Sequence, residues 1–186
     1  MGIMSNLAII PICVHRSFNK NTEVNLHIES NVFINRNVII ESFNKTEIGK
    51  YVIFGPQLYL SDNNHEYRSP YLPIALQNIM DNNTLKVRDG AWIGAGSRVV
   101  SNLNIGFGSV IGANSVITKD VSDHVVIAGN PAQIIKVCDY RTQSWIYVKD
   151  NPALLKDIID NRGEFEGYNY ELIESTLNKL GWNISI

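Results

Sequence analysis

The stretch Val87–Val121, "VRDGAWIGAGSRVVSNLNIGFGSVIGANSVITKDV", places Val or Ile at every sixth position: Val87, Ile93, Val99, Ile105, Ile111 and Ile117. The next residue is glycine at Gly94, Gly106 and Gly112, and the residue four beyond is mostly small, as at Ala91, Ser97, Ser109 and Ser115. A period of six matches neither the roughly 3.6 of an amphipathic helix nor a heptad. It fits short strands of period two separated by regular corners.

The same phase reads upstream at Leu26, Val32 and Val38. After a slip of four residues past Asn44 it resumes at Ile48, Phe54 and Leu60. Two blocks, 26–60 and 87–122, therefore flank an aperiodic segment, 61–86. One aliphatic per six points inward, small residues fill the corners, and glycine or asparagine eases turns that need positive φ. This pattern predicts an all-β solenoid, a parallel β-helix with three faces per coil and about four to five coils. Periodicity does not set its handedness. The polar stretch "LSDNNHEYRSP", Leu60–Pro70, predicts a loop that leaves the coil and carries His65.

After Val137 the pattern changes. "NPALLKDIIDNRG" predicts a helix with Asn151 as N-cap, Pro152 at its first position and Gly163 beyond its end. Leu154, Leu155, Ile158 and Ile159 form its apolar stripe. A second helix is expected over about Tyr168 to Leu180, with Ile173, Leu177 and Leu180 inward and Gly181 as its stop. The organisation expected is an N-terminal segment 1–25 that could form part of a first coil, a β-helix 26–137 with a protruding loop 61–86, and a helical extension 138–186. The helices are expected to cap the solenoid or pack beside it.

A net charge of −2 provides no positive field for nucleic acid or anionic membrane. Cys13 and Cys138 form neither a CxxC pair nor a disulfide framework, and reduced buried thiols are expected. The run "LAIIPICV", Leu7–Val14, is too short to span a bilayer and lacks a preceding basic segment, so a cytoplasmic protein without membrane insertion is expected.

Residues 87–136, with the strings "WIGAG", "VIGANSVITKDV" and "AGNPA", closely resemble the hexapeptide-repeat acyltransferases. Within that family they most resemble the sugar and polysaccharide O-acetyltransferases of the galactoside and maltose group. The resemblance implies a left-handed coil, a homotrimer, acetyl-CoA as donor with no metal, and active sites between subunits. It implies His65 as catalytic base and Asn35, in "VFINRN", as a second catalytic residue that helps hold the acceptor hydroxyl. It places Trp92, Ala95, Ala113, Thr118, Lys119 and Lys136 along the donor groove. Tyr67, Arg68 and Tyr71 in the loop are candidates for contact with a carbohydrate acceptor. The N-terminal helical segment of the maltose and galactoside enzymes is not visible here, so a different acceptor is expected.

Acetyl transfer needs a hydroxyl that loses its proton as it attacks, a thioester held in line, and a stabilised oxyanion. An imidazole can take that proton and return it to the thiolate, which predicts direct transfer in a ternary complex without an acyl-enzyme. A backbone carbonyl, Asp62 or Glu66 could orient His65. Asn35 could instead simply ease a corner, since asparagine tolerates left-handed backbone. Among other readings, a zinc lyase of the γ-carbonic anhydrase type needs three histidine ligands, and His15, His27, His65 and His124 form no HxxxxH pair. A serine acetyltransferase would carry its histidine in a different coil context. A streptogramin or chloramphenicol O-acetyltransferase shares fold, donor and histidine, but Trp145 stands alone in "QSWIYV". A structural scaffold would not need Asn35 and His65 at this spacing.

Overall fold

A computed structural model describes residues 26–80 and 83–180. The run Leu7–Val14, Cys13, His15 and Gly181 lie outside the described residues, as does the segment 1–25. The first coil consists of β1 (Leu26–Ile28), β2 (Phe33–Ile34) and β3 (Ile39–Glu41). The second holds β4 (Lys45–Ile48), β5 (Ile53–Phe54) and β6 (Tyr59–Ser61). The third holds β7 (Thr84–Val87), β8 (Trp92–Ile93) and β9 (Arg98–Val100), and the fourth β10 (Leu103–Ile105), β11 (Val110–Ile111) and β12 (Val116–Ile117). Every strand pairs in parallel with the strand three places along, giving sheets β1-β4-β7-β10, β2-β5-β8-β11 and β3-β6-β9-β12. The chain therefore winds once per three strands around a three-sided core, with faces one, two and three in that order.

The register aligns Ile28, Ile48, Val87 and Ile105 on face one. Ile34, Phe54, Ile93 and Ile111 align on face two, and Ile40, Leu60, Val99 and Ile117 on face three. Most of these side chains are fully buried, and together they form one column of aliphatic contacts through the molecule. In the first block this corrects the predicted phase by two residues. Leu26, Val32 and Val38 occupy the second inward position of each strand, the one taken by Ala91, Ser97 and Ser109 later. Residues two apart on a strand face the same way, so a strand apolar at both positions leaves the phase open. The interruption is thus two extra residues around Phe43–Asn44, not a slip of four.

Corners repeat as strictly as strands. At the corners after faces one and two, the third residue past the inward aliphatic has positive φ: Asn31, Asn37, Tyr51, Gln57, Gly90, Gly96, Gly108, Asn114 and His124. Directly after the face-two aliphatics Phe54, Ile93 and Ile111 the residue is glycine for a different reason. A Cβ on Gly94 would stand 2.7 Å from the Ile111 carbonyl oxygen and 2.8 Å from the Ala113 nitrogen, both backbone of the next coil.

The protruding loop is narrower than predicted, leaving after Ser61 and returning at Thr84. Its root is fixed by Asp62, which is fully buried. The carboxylate accepts from the backbone N–H of Phe43 (2.8 Å) and Asn44 (3.1 Å), and from the Thr46 hydroxyl (3.3 Å). One side chain thus holds both irregularities of the coil, the two-residue insertion and the start of the loop.

Past the fourth coil, β13 (Val125–Gly129) adds to face two and turns at the cis Asn130–Pro131 bond into antiparallel β14 (Ala132–Asp139). A strand unforeseen in the sequence, β15 (Ser144–Tyr147), pairs with β14. Helix α1 (Pro152–Asn161) has the expected cap, Asn151 accepting from Leu154 N–H at 3.0 Å, and it packs on β14 through buried Ile158. Helix α2 (Tyr170–Lys179) is capped by Asn169. Leu180, expected inward, is 59% exposed because it falls in the turn after α2.

The segment between the helices clasps the corner between faces one and two. Phe165 stacks at 4.3 Å from His124 and 6.1 Å from Phe107, and Tyr168 donates to the Asp89 carbonyl at 3.1 Å. The Arg88 guanidinium lies 3.8 Å over the Phe107 ring. Burial holds the Tyr168 phenol up at about 12. Burial also lowers the His124 pKa, opposed by Asp123 and assisted by Arg162.

Two outcomes follow. Asp62→Ala removes the buried acceptor of two part-buried N–H groups and of the Thr46 hydroxyl and should cost about 2–4 kcal/mol in urea unfolding. His124 binds its proton less readily folded than unfolded. Its contribution to stability is therefore complete above its ordinary pKa of 6.5 and is lost as pH falls through the folded value. The melting temperature should drop on acidification below that point, and His124→Gln should flatten the drop. An unchanged slope in the variant would assign it to other groups.

Candidate active site

Asn35 directly follows β2 and stands at the corner between faces two and three. Its N–H donates to the Phe54 carbonyl at 3.2 Å, the bond that Gly55 and Gly94 make to the coils below them at 2.8 Å. Asn35 thus takes the slot that the other coils give to glycine. Left-handed backbone does not explain it, since Asn31 and Asn37 hold the positive-φ positions on either side and Asn35 does not. Its Oδ1 accepts from the Arg36 N–H at 2.8 Å, and its Nδ2 has no hydrogen-bond partner among the described residues. Ala95 and Ala113 lie on the same corner in the third and fourth coils, where the Asn114 N–H donates to the Ala95 carbonyl at 2.8 Å.

His65 belongs to the next corner, between faces three and one, where the loop emerges from the second coil. Its backbone pairs antiparallel with Ile79, and Glu66 N–H to Asn78 O (2.8 Å) and Met80 N–H to Asn64 O (2.9 Å) close the two loop arms on each other. The imidazole is exposed. Neither acid named as its orienting partner serves: Asp62 is taken up by the coil insertion, and Glu66 faces Arg68 at 3.3 Å. Among the described residues no side chain accepts a hydrogen bond from the His65 ring. Thr118 and Lys119 share this corner two coils below and are exposed.

Trp92 and Lys136 are on the outside of face two. The register lines up Phe33, Ile53, Trp92, Val110 and Val126, with Lys136 and Tyr147 continuing the row. Phe33, Ile53 and Trp92 are 41–50% exposed, so this is an apolar ladder in solvent. The outside of face one is opposite in character: His27, Glu47, Lys86 and Asn104 align, with Glu47 paired to Lys45 and Lys86. The ladder was not foreseen. Its signal was present, because each member directly precedes an inward aliphatic, where a half-exposed sheet would carry a polar residue. The loop tip is similar, with Tyr67, Tyr71, Leu72, Ile74 and Leu76 between 51% and 92% exposed.

One chain therefore brings together Asn35, Ala95 and Ala113 on one corner, and His65, Thr118 and Lys119 on another. Trp92 and Lys136 lie on the face that borders the first. Tyr67, Arg68 and Tyr71 stay on the loop, open to solvent.

No family model matches the chain. A search of the solved structures finds a hexapeptide-repeat acetyltransferase from Vibrio cholerae, VCA0836, solved with acetyl coenzyme A. It has a TM-score of 0.57 and 26% identity, over 69% of this chain and 68% of that one. Galactoside O-acetyltransferase from Escherichia coli is 31% identical over 126 residues, 68% of this chain and 60% of the relative. The repeat region belongs to the hexapeptide-repeat acyltransferase family. WbbJ of E. coli, provisionally assigned to lipopolysaccharide biosynthesis as an O-acetyl transferase, is 29% identical over 64% of each chain. The chain spans less than two thirds of the length of these two curated relatives. Among the described residues no helix is long and apolar enough to cross a membrane, and no cluster of three potential metal ligands occurs.

Proposed function

We propose that this protein is an acetyl-CoA-dependent O-acetyltransferase acting on a hydroxyl of a sugar or polysaccharide repeat unit. The coil is read as left-handed, residues 26–137 as the transferase unit, and 138–186 as a C-terminal helical extension. The observation that carries the reading is the pair of corners. An exposed histidine on a braced loop, with Thr118 and Lys119 on its corner, and an asparagine on a corner that Ala95 and Ala113 leave open occupy neighbouring corners. Support for a sugar acceptor comes from the galactoside and lipopolysaccharide names of the relatives.

His65 takes the proton as the sugar oxygen attacks the thioester carbonyl carbon. The C–O bond forms, the C–S bond breaks, and the same proton passes to the departing sulfur. Asn35 Nδ2 donates to an acceptor oxygen and aligns it. Ala95 and Ala113 admit the pantetheine arm along the corner, and Lys119 and Lys136 meet the phosphates as point charges.

Asn35 and His65 stand on different corners of one chain, so the site assembles between copies in a homotrimer, where the loop of one copy reaches the Asn35 corner of its neighbour. Its contact is assigned to the face-two ladder, since desolvating Phe33, Ile53 and Trp92 is favourable whereas desolvating the paired charges of face one is not. The orienting acceptor for the His65 ring then belongs to the neighbouring copy or to a backbone carbonyl that the assembly brings in.

In acetyl-CoA assays with saccharide acceptors, His65→Ala should lower kcat about 10²- to 10⁴-fold while the assembly persists. Full activity in that variant would sink the mechanism. Transfer only to streptogramins or chloramphenicol would overturn the carbohydrate reading. Separately, Ile53→Lys should convert the assembly to folded monomers in analytical ultracentrifugation. An intact trimer would move the contact to another face.

A further inference from the structure

The corner between faces one and two carries none of the residues assigned to acyl transfer, yet it holds a concavity of its own. The clasp between the helices and the corner encloses a cavity of about 760 Å³ lined by Arg88, Phe107, Tyr140, Arg162, Tyr168 and Tyr170, among others. A second cavity of about 460 Å³ adjoins it and spreads over the outside of face one, where His27, Glu47 and Lys86 line it. The two share Arg88, Asp89 and Phe107 and so form one groove.

The chemistry of the lining is selective. The larger cavity presents four carboxylates, Asp89, Asp123, Glu164 and Glu166, against two guanidiniums, Arg88 and Arg162. Of the two, only the Arg88 guanidinium is paired with a carboxylate. Arg88 pairs with Asp123 at 3.1 Å, and Arg162 donates to the Asp123 carbonyl at 3.0 Å. Glu164 and Glu166, by contrast, are exposed and have no hydrogen-bond partner among the described residues. Tyr170, half exposed at the start of α2, adds an open ring and a free hydroxyl. Gly163 and Gly167, with φ of +79° and +103°, bend the chain so that the two glutamates fall between them. The surplus negative charge repels phosphates and polyanions. Acceptor carboxylates beside amphipathic rings suit a neutral ligand rich in hydroxyl donors and C–H faces.

We propose that this groove is a second, non-catalytic binding site for a neutral saccharide chain, through which the protein holds a polymeric acceptor away from the transfer site. The binding itself stands independently of the acyltransferase reading. Only the identity of the chain as acceptor rests on it.

The test is isothermal titration calorimetry of the full chain with neutral hexasaccharides of glucose, galactose and N-acetylglucosamine. Polygalacturonate and a casein digest serve as anionic and peptide comparators. Proteins are the wild type, His65→Ala, and Tyr170→Ala combined with Glu166→Gln, each checked for an unchanged thermal melt. At least one neutral hexasaccharide should bind wild type and His65→Ala alike and the groove variant about tenfold more weakly. Equal binding to the groove variant overturns the proposal. So does the absence of neutral binding at roughly 10 mM ligand, or binding confined to the comparators. Saccharide binding with no acetyl transfer to any sugar would refute the proposed function and leave the groove standing.

Discussion

Backbone hydrogen bonding between coils at roughly 4.8 Å is the constraint on which the rest of this structure depends. It sets what each position can be. Inward residues of successive coils touch, so they are aliphatic columns. Residues just past them approach the next coil's backbone, so Gly94 has no room for a side chain. The third residue turns through left-handed backbone, which asparagine and glycine supply at little cost and which Tyr51, Gln57 and His124 adopt under the pressure of the stack. Exceptions to the pattern therefore mark places where something else is demanded of the chain.

Three such exceptions organise the molecule. Asn35 stands where glycine would serve. The segment after Ser61 leaves the stack altogether. Outward positions of face two are apolar where solvent would favour polar groups. Asp62 connects the first two, since it is buried at the base of the His65 loop while tying down the insertion in the coil that bears Asn35. A rigid coil can project a long loop because this carboxylate satisfies the backbone donors that the irregularity exposes. The third corner, left free by that arrangement, is where the extension packs its aromatic residues.

Much of the coil was legible from residues 87–121, where the strong aliphatic is mostly accompanied by a small residue, Leu103 being the exception. The first block was less so. Leu26 and Ile28, Val32 and Ile34, Val38 and Ile40 are apolar pairs two apart, and only pairing with the second coil tells which of each pair aligns with Ile48, Phe54 and Leu60. The capped ends of α1 were readable because Asn151, Pro152 and Gly163 act locally. Strand β15 was not, because "SWIY" becomes a strand only by pairing with β14. His65 and Asn35 could be singled out by resemblance, but Asp62 read as one acid among several in a polar loop.

The sequence by itself determined the period, and with it a coil of three faces, because each residue's fate there depends on neighbours two and six positions away. It also named the residues that break the period. Only the tertiary structure decided where those residues stand: Asn35 and His65 on different corners, Trp92 on an apolar ladder, and the 163–168 segment over a groove on the third corner. Those placements depend on register between strands 18 to 39 residues apart, and on a loop and an insertion whose lengths shift that register. No local pattern carries such information, because it resides in the contacts between coils.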